Sequence, residues 1–203
     1  LADPRQIQSL TWLARDSSLS WLSEQAATFP ANYGQAEEIV ALKPDLVLAG
    51  VFTAPATLAM LERFHVPVVK LLMPTTLLQV MQQIENVAEL LGQERRGADL
   101  VADMRQRLHS LPELPAGDKP TVALYQPNGL TAGAGTLIDD AFQYAGLDNL
   151  AVIRALPRYT QLSLELLLVD KPAVLVMNRY DPDAPSLAQE LQHHPSLKKA
   201  FTA

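Results

Sequence analysis

EEIVALKPDLVLAG, residues Glu37–Gly50, and ELLLVDKPAVLVMN, residues Glu165–Asn178, are two versions of one segment. Their Lys-Pro pairs, Lys43-Pro44 and Lys171-Pro172, lie 128 positions apart. At that offset Glu37 meets Glu165, Val40 meets Leu168, and Leu46-Val47-Leu48 meets Val174-Leu175-Val176. Each copy predicts a short helix, a proline stop and a strand. The proline ring clashes with a helical residue before it, so Lys43 and Lys171 mark the helix ends. The Val/Leu tripeptide that follows suits a parallel strand covered on both faces. The duplication predicts two similar lobes, and two lobes predict a cleft.

The rest of the 203 residues is read outward from these copies. Aliphatics are plentiful, aromatics make up 6%, and the formal charge is −6. An acidic balance without a lysine or arginine run argues against nucleic acid and against an anionic membrane surface. Arg95-Arg96 and Lys198-Lys199 are isolated pairs on solvated helix faces. There is no cysteine, hence no disulfide framework, Cys-based metal site or thiol nucleophile. No apolar run approaches the roughly 20 residues of a membrane span.

Before the first copy, Gln6–Leu10 reads as a strand running into the loop Thr11-Trp12-Leu13, and Asp16–Asn32 as mostly loop with a short helix. After it, Val51–Thr53 form a turn. Pro55 opens a helix, where its missing N–H goes unused. Leu58, Leu61 and Phe64 are expected to face inward, and Pro67–Leu72 to form the next strand. Such alternation implies a parallel sheet with right-handed crossovers. Leu77, Met81, Ile84, Val87, Ala88 and Leu91 then recur at helical spacing, closed by Gly92. Ala98, Val101, Met104, Leu108 and Leu111 make a second stripe. Pro112–Pro120, with three prolines, is a surface joint. The second lobe opens with a strand over Thr121–Tyr125, a loop over Gln126–Gly135 and a helix over Leu137–Tyr144 capped by Gly146. The second copy follows, then Arg179–Pro185 and a helix through Leu191.

The expected fold class is α/β, with two parallel-sheet lobes joined by a long spine helix. The lobes are residues 1–92 and 112–203, and the spine is 93–111. Aligning one lobe on the other leaves the first lobe without a strand and helix at its start and the second without a strand at its end, so the chain reads as truncated at both ends. Exposed sheet edges in such a fragment would favour self-association.

Two stretches carry a family resemblance: AEEIVALKPDLVLAG (Ala36–Gly50) and YQPNGLTAGAGTLIDDAFQYAGLDNL (Tyr125–Leu150). Together, with the helices between them, they resemble the class III periplasmic substrate-binding proteins, which serve ATP-driven importers of iron-siderophores, haem and vitamin B12. The resemblance covers essentially the whole chain. It implies a non-enzymatic receptor in the periplasm, with a small-molecule metal chelate as ligand: an iron chelate, haem or cobalamin. No intrinsic cofactor is implied. Its partners would be an ABC permease and its ATPase. Members often carry a glutamate on each lobe that pairs with permease arginines. Here Ala56-Thr57 stand where the first is expected, with no acid before Glu62. Asp181, Asp183 and Glu190 are candidates in the second lobe.

Ligands of open parallel sheets sit beyond the carboxyl ends of the strands. That places Trp12 and Arg15, Phe52 and Thr53, Tyr125, Gln126, Asn128 and Thr131, and Arg179 and Tyr180 on the site wall. Arg158 and Tyr159 precede the second repeat helix and join them. Trp12, Phe52, Tyr125, Tyr159 and Tyr180 suit stacking on a macrocycle or catecholate. Arg15, Arg158 and Arg179 suit bidentate contact with carboxylates or phosphate. Gln126, Asn128 and Thr131 offer neutral hydrogen bonds. As the last residue of its strand, Tyr125 equally suits packing. Gly129, Gly133 and Gly135 do not have dinucleotide-binding spacing. The four histidines share no element with a suitable carboxylate, and no G-x-S-x-G is present. The alternatives to a transport receptor are a non-transport interaction module and a Rossmann-like enzyme.

Overall fold

The computed structural model describes residues 1–112, 117 and 119–177. The chain divides into two compact α/β units. Unit one comprises Leu1–Met73 and Gln82–Val101, and unit two comprises Pro74–Met81 with the chain from Ala102 onward.

In unit one, β1 (Leu10–Thr11) pairs in parallel with β2 (Ala31–Asn32), and α1 (Ser23–Ala26) lies between them in sequence. The strand expected from Gln6 is therefore shorter. Pro4–Gln6 instead form a 3-10 turn, because Asp3 accepts from Arg5 N at 2.9 Å while Gln6 Oε1 accepts from Asp3 N at 2.8 Å. The first repeat copy folds as α2 (Ala36–Ala41) and β3 (Val47–Ala49). Next come α3 (Pro55–Arg63), with Pro55 in its first turn, and β4 (Val68–Lys70), parallel to β3. Leu61 is fully buried, but Phe64 is 58% exposed. The helix stops at Arg63, so Phe64 falls at its C-terminal cap, beyond the buried stripe, and His65 at φ 56° turns the chain away. Thr57 occupies that stripe instead.

Two helices run consecutively: α4 (Leu77–Leu90) and α5 (Glu94–His109), with Gly92 at φ 62° between them. The buried face of α5 runs through Gly97 and Val101, while Ala98 and Leu111 are exposed. The reason is steric. A Cβ on Gly97 would lie 2.4 Å from the Ala88 Cβ, so close approach of the helices requires the glycine on the inside.

Unit two is built around β5 (Thr121–Tyr125), which lies between β7 (Asp148–Asn149) and β9 (Val174–Met177) in a parallel sheet. Its side chains alternate between two apolar clusters. Ala123 and Tyr125 pack with Leu150, Leu162 and Leu167, while Val122 and Leu124 pack with Ala132 and Phe142. Such a strand is covered on both faces. The repeat strands are not: Leu48, Val174 and Val176 are each more than a third exposed. Alternation turns Val174 and Val176 to a face that the described elements leave open.

The stretch expected as a loop over Gln126–Gly135 contains a strand, β6 (Leu130–Ala132), antiparallel to β8 (Tyr159–Gln161). Helices α6 (Leu137–Tyr144), α7 (Leu150–Ile153) and α8 (Leu164–Asp170) complete the unit. Among the described residues, no helix is long and apolar enough to cross a membrane.

Candidate functional site

The first cluster grows from the register of β1 on β2. Leu10 faces Ala31 and Thr11 faces Asn32, so the next residues in line are Trp12 and Tyr33. Their rings stack with centroids 6.4 Å apart and planes at 25°. Both remain open to solvent, Trp12 at 46% and Tyr33 at 66%. The turn that presents Tyr33 is pinned. Glu38 Oε2 accepts from the Tyr33 N–H at 2.8 Å, and Asn32 Oδ1 accepts from Gly34 N at 3.2 Å. Asn32 Nδ2 in turn donates to Ser9 Oγ at 2.8 Å.

Arg15 and Asp16 share the shallow hollow beside this stack with Trp12, Ala31 and Tyr33. The Arg15 guanidinium donates to the Phe29 carbonyl, which anchors one nitrogen. Asp16 Oδ1 accepts from the Ser18 hydroxyl at 2.6 Å and from Ser18 N at 2.8 Å. These bonds hold its carboxyl below the usual carboxylate range. The hollow thus offers an aromatic platform with a guanidinium at its rim, and the neighbouring acid is occupied by its own turn.

Phe52 and Thr53 lie in the turn after β3. Phe52 is 87% exposed, and Thr53 N donates to the Gly50 carbonyl at 3.1 Å. A further bond fixes this loop: the Thr57 hydroxyl donates to the Gly34 carbonyl at 3.0 Å. The turn behind Tyr33 is thereby tied to the helix that follows Phe52.

Unit two holds the second cluster. Tyr125 is fully buried in the core, and burial pushes its phenol up from the ordinary value. Thr131 is also buried, and its hydroxyl has no hydrogen-bond partner among the described residues. In this structure both belong to the interior. Gln126 N donates to the Leu130 carbonyl at 2.9 Å, closing a tight turn through Asn128. Asn128 is exposed, with φ 61°, a conformation that Asn tolerates better than most residues. Gly129 follows at φ 72°, where an added Cβ would stand 2.8 Å from the Leu162 carbonyl oxygen.

Arg158 and Tyr159 form a pair, the guanidinium carbon lying 5.8 Å from the ring centroid. Such a contact is a cation–π interaction. Tyr159 is 57% exposed and faces Ala132 in the β6–β8 register. The buried side chain of Asn149 supports this ribbon from below: its Nδ2 donates to the Ala132 carbonyl at 2.9 Å and to Asp139 Oδ1 at 3.0 Å. Arg179 and Tyr180 lie outside the described residues.

Sequence reading therefore missed Tyr33 and the supporting pair Asn149–Asp139. Tyr33 follows a two-residue strand that carries no periodic signal, and only the pairing of β1 with β2 brings it to Trp12. Asp139 lies in the first turn of α6, where an acid suits the helix dipole, so its sequence position gives no sign that it is also a partner in a buried polar network. Among the described residues, no group of three or more His, Cys, Asp or Glu side chains is placed to hold a metal ion.

The sequence pattern of the family described as "Periplasmic binding protein" matches residues 20–203. A cobalamin-binding protein of Halobacterium salinarum is 31% identical over 144 residues, which is 69% of this chain and 39% of that protein. The chain thus spans about two fifths of the length of the curated relative it matches. Among solved structures, a periplasmic heme-binding protein from Roseiflexus sp. RS-1 superposes with a TM-score of 0.67 at 28% identity, over 80% of this chain and 66% of that one. A periplasmic heme-binding protein from Pseudomonas aeruginosa gives 0.66 at 26% identity, over 90% and 70%. The chain belongs to the periplasmic binding protein family, as a class III member with the two-lobe α/β fold of that class.

Proposed function

We propose that this chain is the substrate-binding component of an ABC importer. It captures a metal chelate in the periplasm (haem, cobalamin or an iron-siderophore) and delivers it to a membrane permease driven by its ATPase. The observation that carries this reading is the exposed Trp12–Tyr33 stack with Arg15 beside it. A flat, conjugated ligand with acidic substituents finds a ring face and a guanidinium in one place. The similarity to cobalamin-binding and heme-binding proteins supports the same ligand class. In unit two, Arg158–Tyr159 and the exposed turn at Asn128 supply a second cation, ring and amide. Phe52 and Thr53 extend the unit-one surface. Arg179 and Tyr180 remain part of the proposal from sequence. The protein's role is binding without turnover, so nothing in the site needs to move a proton or form a bond.

Isothermal titration with haem, cyanocobalamin, and ferric hydroxamate and catecholate siderophores tests the reading. One of them is expected to bind with micromolar or tighter affinity. Tyr33→Ala is expected to weaken that affinity about tenfold, the loss of one aromatic stacking contact. A panel without a binder, with folding verified by circular dichroism, overturns the reading.

A further inference from the structure

β6 and β8 form a ribbon held along one side by buried polar groups. Leu162 N donates to the Gly129 carbonyl and Gly133 N to the Arg158 carbonyl, each at 2.8 Å. Between those bonds the register pairs Leu130 with Gln161 and Ala132 with Tyr159. Antiparallel pairs alternate in their bonding, so the carbonyls of Leu130 and Ala132 point away from β8. Gln126 N donates to the first at 2.9 Å, and Asn149 Nδ2 donates to the second, also at 2.9 Å. Asn149 is itself fixed at both ends of its amide. Its Oδ1 accepts from Ala151 N at 3.1 Å, capping α7, and its Nδ2 also donates to Asp139 Oδ1 at 3.0 Å. Asp139 Oδ2 accepts from Gln143 Nε2 at 3.1 Å. The Thr136 hydroxyl accepts from Asp139 N at 3.2 Å and donates to the Gly133 carbonyl at 2.8 Å. Gly133 has no room for a side chain: a Cβ there would stand 3.0 Å from the Pro157 carbonyl oxygen and 3.1 Å from that of Leu156. The backbone of Arg158 is thus seated on a frame made by Asn149, Asp139 and Thr136.

Resting on the receptor reading, we propose that Asn149 and Asp139 are positioning residues for ligand capture, acting through Arg158 and Tyr159. Both are buried, out of reach of a ligand. A buried carboxylate is costly unless its oxygens are bonded, and apolar residues of similar volume can hold a core as well. What the polar pair supplies is direction. It fixes the Ala132 peptide opposite Tyr159, which an apolar contact would leave free to slide. The pair it steadies is exposed, with the Arg158 guanidinium carbon 5.8 Å from the Tyr159 ring centroid. Holding these groups in place before a ligand arrives lowers the entropy lost on binding.

The test follows affinity and local order in one set of variants, each checked for folding by circular dichroism. Haem, cyanocobalamin and a ferric hydroxamate are titrated into the wild-type protein. Each that binds is then titrated into Asn149→Ser, Arg158→Ala/Tyr159→Ala and the triple variant. Serine still caps α7 but is too short to reach the Ala132 carbonyl. Asn149→Ser is expected to weaken binding about fivefold, a partial loss of one ring and one cation contact. The triple variant is expected to bind no more weakly than Arg158→Ala/Tyr159→Ala, because the frame acts through that pair. Asp139→Asn keeps an oxygen for Asn149 and should bind as the wild type does. Gly133→Ala presses on the Leu156 and Pro157 carbonyls and should reproduce the loss, including where Asn149→Ser fails to fold. In the unliganded protein, amide exchange in Asn149→Ser should quicken at Gly133 relative to Leu162, at the other end of the ribbon. Unchanged affinity in Asn149→Ser and Gly133→Ala overturns the positioning role and leaves the receptor reading intact. Losses that simply add to those of Arg158→Ala/Tyr159→Ala do the same. Failure of every probe on the folded wild type overturns both.

Discussion

Lys43 and Lys171, 128 positions apart, share the same unusual backbone conformation, with φ 49° and 42°, each immediately before a proline. The helix ends there in both units, and the left-handed turn redirects the chain into β3 or β9. Lys171 N closes the turn by donating to the Leu167 carbonyl at 3.1 Å, and Lys43 N donates to the Val40 carbonyl at 3.0 Å. The duplicated segment is thus duplicated in backbone geometry as well as in sequence. Its conformation is one that a side chain with a Cβ pays for, at roughly 1 kcal/mol.

Lys171→Gly should therefore stabilise the protein, although glycine gives back part of the gain through the freedom of the unfolded chain. The net expectation is about 0.5 kcal/mol, read as a higher urea midpoint with an unchanged slope. A lower midpoint would mean that the lysine side chain contributes more than its backbone costs.

Gly97 and Ala88 set the closest approach between α4 and α5. Gly97→Ala should destabilise by about 1–3 kcal/mol through overpacking, despite the better helix propensity of alanine. Ala88→Gly in the same chain should recover most of the loss. A double-mutant cycle with no coupling between the two positions would contradict the close contact.

Asp140 Oδ2 accepts from the Leu77 N–H at 2.6 Å, so an acid on α6 caps the first turn of α4. The arrangement satisfies a donor left unpaired by the helix and places negative charge at its positive end. Asp140→Ala should cost about 1 kcal/mol and Asp140→Asn distinctly less, because the amide oxygen still accepts. Equal losses for the two would show that charge matters here and the hydrogen bond does not.

Arg154 and Asp170 are joined by two hydrogen bonds, from Nε at 2.8 Å and from the terminal nitrogen to the other carboxylate oxygen. The hydrogen bonding from Arg154 holds the Asp170 carboxyl below its ordinary value of 3.8, against the opposing effect of burial on a side chain that is only 8% exposed. A carboxyl depressed on folding contributes stability that is complete above its unfolded value and disappears as pH falls through the folded one. Arg154→Met should thus lower stability at neutral pH, by an amount held down by the solvent around the half-exposed guanidinium. The difference between variant and wild type should shrink below about pH 4 and vanish at lower pH still. A penalty that persists unchanged at pH 2 would assign it to packing.

The long elements were legible from sequence because they obey simple periodicity. Pro55 at a helix start, Gly92 at a helix end and the span Leu137–Tyr144 all lie where local chemistry puts them. The short ones were not. β2 has two residues and β6 three, too few for alternation to register, and β6 finds its partner β8 about 30 positions away. The same limit governs the site. Trp12 and Phe52 could be chosen from their positions at strand ends, and both are exposed. Tyr125 and Thr131 satisfied the same rule but are buried, because β5 is the central strand and its end is closed over by the turn at Gly129. Tyr33 needed the pairing of two strands to be seen at all.

The most direct measurement uses Trp12 as its own reporter. Trp21 is 99% exposed and serves only as background, so Trp21→Phe leaves Trp12, stacked on Tyr33, as the single tryptophan. Its emission is followed during titration with haem, cyanocobalamin and ferric siderophores, with absorbance corrected for inner-filter effects. Saturable quenching by one ligand at micromolar or lower concentration is the predicted result, and it places that ligand against the Trp12–Tyr33 platform. Emission that changes with none of them, in a folded protein, would contradict the assignment of this chain as a metal-chelate receptor.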